Sequence, residues 1–297
     1  MYKIRLSFPL IFCLVLVLVI SGCKKEDPPV EPEPVETDIQ FLGHKGGGNN
    51  GYNEVHMENT IPAMMEGIQA LDGVEVDIQM SKDGTIWMFH DADLGYNCDN
   101  PDDSRSLILL PDSVISGLRL CHESKKDRIY KLQELIDVWN LTPGGFYISF
   151  DVKMDFPFDT FDQVGGRYAY MVKLATQLAE VLSVRNHPAS QLLMEVDYES
   201  FCEELRKYIS DIPMYLSSSD DIIPKIERAL AEGYDGISCN YNDLSVTAEG
   251  IKTAHDSGLS VQLWTPYYYD ELLSAFNRNP DFIQSDNIDA KKELNVK

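Results

Sequence analysis

Positive charge is scarce in this chain. Lysines and arginines number 25 against 48 aspartates and glutamates in 297 residues, a formal net charge of −23. Such a surface repels nucleic acid and anionic lipid, so no nucleic-acid partner is expected. It also repels a phosphate ester at long range, but salt screens that repulsion beyond about 8–10 Å. An anionic substrate therefore needs only a locally positive site. Cysteines number six, with no CxxC or zinc-type spacing among them. No Gly-x-Gly-x-x-Gly follows the first predicted strand, which disfavours a dinucleotide-binding sheet. The apolar run Phe8 to Ile20 falls short of the roughly 20 residues that a membrane-spanning helix needs.

That run does suit a secretory leader. Lys3 and Arg5 precede it and Ser21-Gly22-Cys23 follows. The pattern resembles a bacterial lipoprotein signal, cleaved before a Cys23 that takes the lipid. An ordinary leader with an incidental cysteine is the alternative. Lys24 to Thr37 reads KKEDPPVEPEPVET, too rich in proline and acid to bury a core, so it is expected to be an extended tether. The expected organisation is a leader over 1–22, a lipidated cysteine and tether over 23–37, and one domain over 38–297. Membrane contact would run through the lipid alone. The expected location is the outer membrane of the cell envelope, on its periplasmic or surface face. Lys24-Lys25-Glu26-Asp27 resembles surface-export signals of some Gram-negative lipoproteins. Without Lys3 and Arg5 the net charge is −25. Cys98 and Cys121 either pair, as an oxidising compartment allows, or stay free and buried.

About 260 residues suit a single α/β barrel of about 250. Residues 39–43 read as a first strand, followed by a glycine- and asparagine-rich loop from Gly46 to Gly51. Thr60 caps a helix with Pro62 in its first turn, running to about Leu71. Strands follow at 74–78 and 86–90, joined at Asp83-Gly84, a hairpin signal. If those two residues make the turn, Asp77 falls opposite His90. Residues 92–128 are irregular apart from a short helix near 111–118. From residue 130 onward, helices alternate with strands at 147–151, 191–196, 214–217, 236–239, 261–264 and 282–285. That alternation predicts a mostly parallel sheet. The strands number one more than a barrel needs, and the hairpin accounts for the excess.

Glu75 and Asp77 lie two apart on a strand and share a face, while Val74, Val76 and Ile78 alternate onto the other. Paired buried carboxylates repel unless a cation joins them. Oxygen-only ligands suit a hard ion, Ca²⁺ or Mg²⁺. His44 and His90 each end a strand and form a candidate acid–base pair. Asp91 either orients His90 or begins the next loop. His56, His122, His187 and His255 lack acidic partners at telling spacings.

Gly43-His44-Lys45-Gly46, Glu58-Asn59-Thr60, Val74-Glu75-Val76-Asp77, Ser81-Lys82-Asp83-Gly84 and Phe89-His90-Asp91 together resemble the signature of the glycerophosphodiester phosphodiesterase family, within the phospholipase C-like superfamily. The match is close from Gly43 to Asp91 and weaker beyond. It implies a TIM-type (β/α)8 barrel that hydrolyses a glycerophosphodiester to glycerol 3-phosphate and an alcohol. It assigns acid–base catalysis to His44 and His90, and one divalent cation to Glu75, Asp77 and a third acid. That third position reads Asp151-Val152-Lys153, with aspartate where the family has glutamate. Lys45 replaces the usual arginine. Lys45, Lys153 and Glu58 would face the substrate, and Trp264, in a WT-like pair with Thr265, would wall the glycerol pocket. Glu195 stands where serine is more common. Two rivals are a phospholipase-like headgroup phosphodiesterase and a non-catalytic binding lipoprotein on the same barrel. Retention of His44, Glu75, Asp77 and His90 together argues against the second.

Overall fold

In chain order the strands are β1 (Gln40–Gly43), β2 (Gly73–Met80), β3 (Ile86–Met88), β4 (Leu120–His122), β5 (Lys125–Asp127), β6 (Tyr130–Lys131), β7 (Tyr147–Val152), β8 (Leu192–Val196), β9 (Met214–Ser217), β10 (Gly236–Asn240), β11 (Ser260–Trp264) and β12 (Phe282–Ser285). Among the described residues, β1, β2 and β7 to β12 pair in parallel, and β12 returns to β1. This is a closed eight-stranded (β/α)8 barrel. The computed structural model describes residues 33–47, 55–122 and 125–297. The expected leader, the lipidation site Cys23 and most of the tether lie outside the described residues.

Helices run between the strands because each has one apolar stripe to bury. The long one, α5 (Arg167–Leu182), buries Met171, Leu174, Ala175, Leu178 and Leu182, the face expected from its spacing. In α1 (Ile61–Ala70) the Thr60 hydroxyl accepts the Ala63 amide and Pro62 occupies the first turn. Val35, within the expected tether, already bridges Val296, its amide donating to the Asn295 carbonyl at 2.8 Å.

The hairpin forms, but its register differs from the expected one. Ser81 donates to the Thr85 carbonyl, so the loop holds three residues, Lys82 to Gly84, with Gly84 at φ +103°. A glycine in the left-handed region favours this longer loop over a two-residue turn. The pairing slips by one, Ile78 meets Met88, and Asp77 accepts from Phe89 rather than facing His90. The C-terminal end of β2 thus carries β3, and β3 carries β6, as an antiparallel extension of the barrel wall.

The irregular stretch after His90 contains more order than its sequence suggests. It holds α2 (Asp112–Ile115) and the small β4–β5 sheet. A Cys98–Cys121 disulfide staples it, so the two thiols pair. Phe89, Leu94, Leu107, Ile115, Leu120 and Ile129 form part of a small core separate from that of the barrel.

The turn bearing His44 packs tightly on α1. A Cβ at Gly67 would lie 2.2 Å from the Gly46 carbonyl oxygen, and one at Gly43 would lie 1.9 Å from it. Alanine at a mid-helix glycine ordinarily gains up to about 1 kcal/mol of helix propensity. Here the overlap is with backbone, and forced overpacking costs about 1–3 kcal/mol. Gly67→Ala is therefore expected to lower the melting temperature by about 2–8 °C. An unchanged or higher melting temperature would show that the turn can yield.

Candidate active site

The site grows from the alternation of β2. Val74, Val76 and Ile78 pack outward into the main core, which turns Glu75, Asp77 and Gln79 into the barrel. Glu75 and Asp77 are each 1% exposed. The parallel β2–β7 register sets Asp151 directly beside Asp77. One oxygen from each of Glu75, Asp77 and Asp151 lies within 4.8 Å of the other two.

Positive charge reaches this cluster chiefly through Lys153. Lys153 Nζ lies 2.6 Å from Asp151 Oδ2 and 2.8 Å from Asp77 Oδ1. Burial raises the Asp77 carboxyl, but Lys153, then His90, Lys45 and His44, outweigh it and hold the group at about 2. Glu75 goes the other way. Burial, reinforced by Asp77 and Asp151, pushes it well above the usual carboxylate range. Burial also raises Asp151, against the pull of Lys153. One Glu75 oxygen accepts the Lys45 backbone amide at 2.7 Å. The other, Oε1, is buried without a hydrogen-bond partner among the described residues.

Each candidate histidine is held by a carboxylate through Nδ1. His44 Nδ1 lies 2.7 Å from Asp286 Oδ1, and its Nε2 is 3.8 Å from Glu75. His90 Nδ1 lies 2.7 Å from Asp91 Oδ1, so Asp91 does contact His90. A carboxylate on Nδ1 fixes the ring and leaves Nε2 as the atom for proton transfer.

Two supporting residues were not singled out by the sequence reading. Asp286 directly follows β12, 242 residues from His44. Its signal was its position just past the last strand, where a barrel's C-terminal rim lies. Asn59, held in the left-handed region at φ +55°, donates Nδ2 to Asp77 and accepts the Asp77 amide. Its neighbours also converge. Lys45 Nζ lies 3.2 Å from both Glu58 carboxylate oxygens.

Two other residues flank this cluster differently. Trp264 ends β11 and lines a recess with Lys225, Asn240 and Ser217 to Ser219, which the three acids do not line. Glu195 is buried inside the barrel, beside Asp151 in the β7–β8 register. It accepts from Ser149, Ser238 and Gln284, and burial raises its carboxyl. Of the remaining histidines, His122 packs edge-on against Tyr96 and His187 against Trp139. His255 pairs with Asp281 at 2.9 Å, a partner its sequence spacing did not reveal.

The model of the Glycerophosphoryl diester phosphodiesterase family matches residues 44–290. No curated protein matches the chain. Solved structures do. A candidate glycerophosphoryl diester phosphodiesterase from Silicibacter pomeroyi superposes with a TM-score of 0.72 at 16% identity, over 86% of this chain and 92% of that one. A phosphodiesterase from Oleispira antarctica, in complex with the product sn-glycerol-3-phosphate, gives 0.68 at 18% identity, over 86% and 96%. A glycerophosphodiester phosphodiesterase from Parabacteroides distasonis gives 0.68 at 14% identity, over 88% and 98%. At these identities the likeness is one of fold.

Proposed function

This chain belongs to the glycerophosphoryl diester phosphodiesterase family, and from that premise we propose that it hydrolyses glycerophosphodiesters to glycerol 3-phosphate and an alcohol. In this reading one divalent cation, Ca²⁺ or Mg²⁺, binds at Glu75, Asp77 and Asp151, and His44 and His90 are the acid and base. The observation that carries the reading is the meeting of two carboxylate-held histidines with three convergent acids at one barrel mouth. The Oleispira antarctica neighbour holds the product expected here.

The donor set fits a hard cation. Every ligand atom is a carboxylate oxygen, and the unpartnered Glu75 Oε1 is the kind of buried atom that an ion satisfies. When bound, the cation supplies Lewis-acid polarisation of a phosphoryl oxygen.

The protein supplies the rest. One histidine removes the proton from the attacking oxygen, and the other delivers a proton to the departing alkoxide. The net reaction consumes one water and breaks one P–O bond. Asp286 and Asp91 hold the two rings and stabilise whichever is protonated. Lys153 and Lys45 bring local positive charge to a protein whose surface is acidic. Burial opposes the charge on Lys45, yet Glu58, Asp77 and Glu75 outweigh it and raise its pKa.

Release of glycerol 3-phosphate from glycerophosphocholine and glycerophosphoethanolamine tests the reading. The expected result is turnover that a chelator stops and added Ca²⁺ or Mg²⁺ restores. No release from either ester, nor from a glycerol 3-phosphate diester of an uncharged alcohol, with cation in excess would overturn it.

The proposal extends to lipid attachment at Cys23, on the residue pattern alone. Cys23→Ala is expected to yield a soluble, active protein, because the tether carries no catalytic residue. Fractionation that leaves the variant on membranes would overturn the anchor.

A further inference from the structure

A cleft of about 640 Å³, counting the space at its mouth, opens beside His90. It shares His90, Asp91 and Asn59 with the active site. Met57 and Phe89 also line it, and Tyr96, Leu120 and Ile129 come from the stapled excursion between β3 and β6. We infer that this cleft is the subsite for the leaving alcohol, and that it takes an alcohol with an uncharged, apolar body. The inference rests on the phosphodiesterase reading above and adds the substrate class.

Charge decides the class. Among the described residues, three charged side chains besides His90 and His122 line the cleft, and each already has a partner. Glu58 is engaged by Lys45 at 3.2 Å, and Asp91 by His90 at 2.7 Å. Arg128 forms a two-pronged pair with Glu134 at 2.9 and 2.6 Å, and its guanidinium lies 3.6 Å from the centre of the Tyr130 ring. A quaternary ammonium or a carboxylate would find no unpaired counter-charge among these described residues. An alkyl or aryl group would find sulfur, aromatic and branched aliphatic surface. Burying such a group yields roughly 0.8 kcal/mol per methylene.

Position decides the role. His90, the candidate proton carrier, lines this cleft, so an alcohol seated in it lies against that ring. The wall is also built to keep its shape. The Cys98–Cys121 disulfide ties the Tyr96 segment to the Leu120 strand, and the Cys121 amide donates to the Tyr96 carbonyl at 2.7 Å. The ring of His122 packs edge-on against Tyr96 at 5.0 Å between centroids.

The test compares two diesters of glycerol 3-phosphate that differ only in the alcohol, ethanol or hexan-1-ol, with the full chain and divalent cation. The two alcohols leave with similar ease, so the ratio of kcat/KM reads the burial of four methylenes. Complete burial corresponds to about 200-fold, and a cleft open at its mouth to at least about tenfold in favour of the hexyl ester. Tyr96→Ala, at a residue 43% exposed and so safe for the fold, is expected to cut that ratio at least about threefold. A wild-type ratio near one, or a ratio unmoved by the substitution, overturns the subsite. If neither ester is hydrolysed, the phosphodiesterase reading fails separately. Calorimetry then decides the apolar character of the cleft: tighter binding of the hexyl ester, weakened by Tyr96→Ala, supports it, and equal binding of the two esters overturns it.

Discussion

Alanine at His44 or at His90 is expected to lower turnover by at least about 10²-fold, since a positioned acid or base contributes typically about 10²–10⁴-fold. Each ring is oriented by its own carboxylate, Asp286 or Asp91, so each should act as a separate proton carrier. Hydrolysis needs one proton removed and one delivered, and loss of either step stalls the other. The double variant should therefore lose less than the product of the single losses. Each single variant should lose one limb of a bell-shaped pH–rate profile. Cation-dependent stabilisation should persist in both, because the three convergent acids remain. Near-normal turnover in either folded variant would remove the acid–base assignment and revive the binding-protein alternative.

Neutralising either acid of β2 is expected to abolish turnover and cation-dependent stabilisation, but the two variants should differ in stability without cation. Glu75 has its folded pKa raised by burial and by Asp77 and Asp151. Its stabilising contribution is present below its unfolded pKa and is lost as pH rises through the folded one. Glu75→Gln removes that loss, so the cation-free variant should be at least as stable as wild type at neutral pH. Asp77 is the opposite case. Its folded pKa is lowered to about 2, with Lys153 outweighing burial. Its contribution is present above the unfolded pKa and lost as pH falls toward 2. Asp77→Asn should therefore cost on the order of 2 kcal/mol at neutral pH, and it leaves Lys153 with Asp151 alone. Because Glu75 must ionise to hold a cation, the cation-induced rise in melting temperature should grow with pH. The reading would be wrong if chelator and both substitutions left activity unchanged.

What the sequence showed and what it hid follow from interaction range. β2 was legible because alternation is local: Val74, Val76 and Ile78 repeat every second residue, and Glu75 and Asp77 fill the gaps. The α1 boundaries were legible from Thr60 and Pro62 for the same reason. The hairpin was recognised from Asp83-Gly84, but its register depends on whether Lys82 joins the loop, and propensity hardly separates those options. β4, β5 and β6 are two or three residues long, too short for any period to show. Asp286 and Asn59 reach the site from distant or irregular segments, and Glu195 finds its donors on three other strands. Those contacts exist only once the barrel closes.

Val35 and Val296 share one parallel bridge, and the Lys297 amide donates to the Val35 carbonyl at 3.1 Å. The entrance and exit of the folded unit are therefore neighbours, and residues 34–297 form a ring that a short linker would close. Where a ring is cut matters little to the contacts it makes. His44, Glu75, Asp77, His90 and Asp151 all fall on one arc from β1 to β7. The opposite arc, with exposed positions such as Leu244 after β10, can hold new chain ends without interrupting that arc. A permuted enzyme, opened there and joined from Lys297 to Pro34 by a short linker, would keep these five residues on an unbroken stretch of polypeptide.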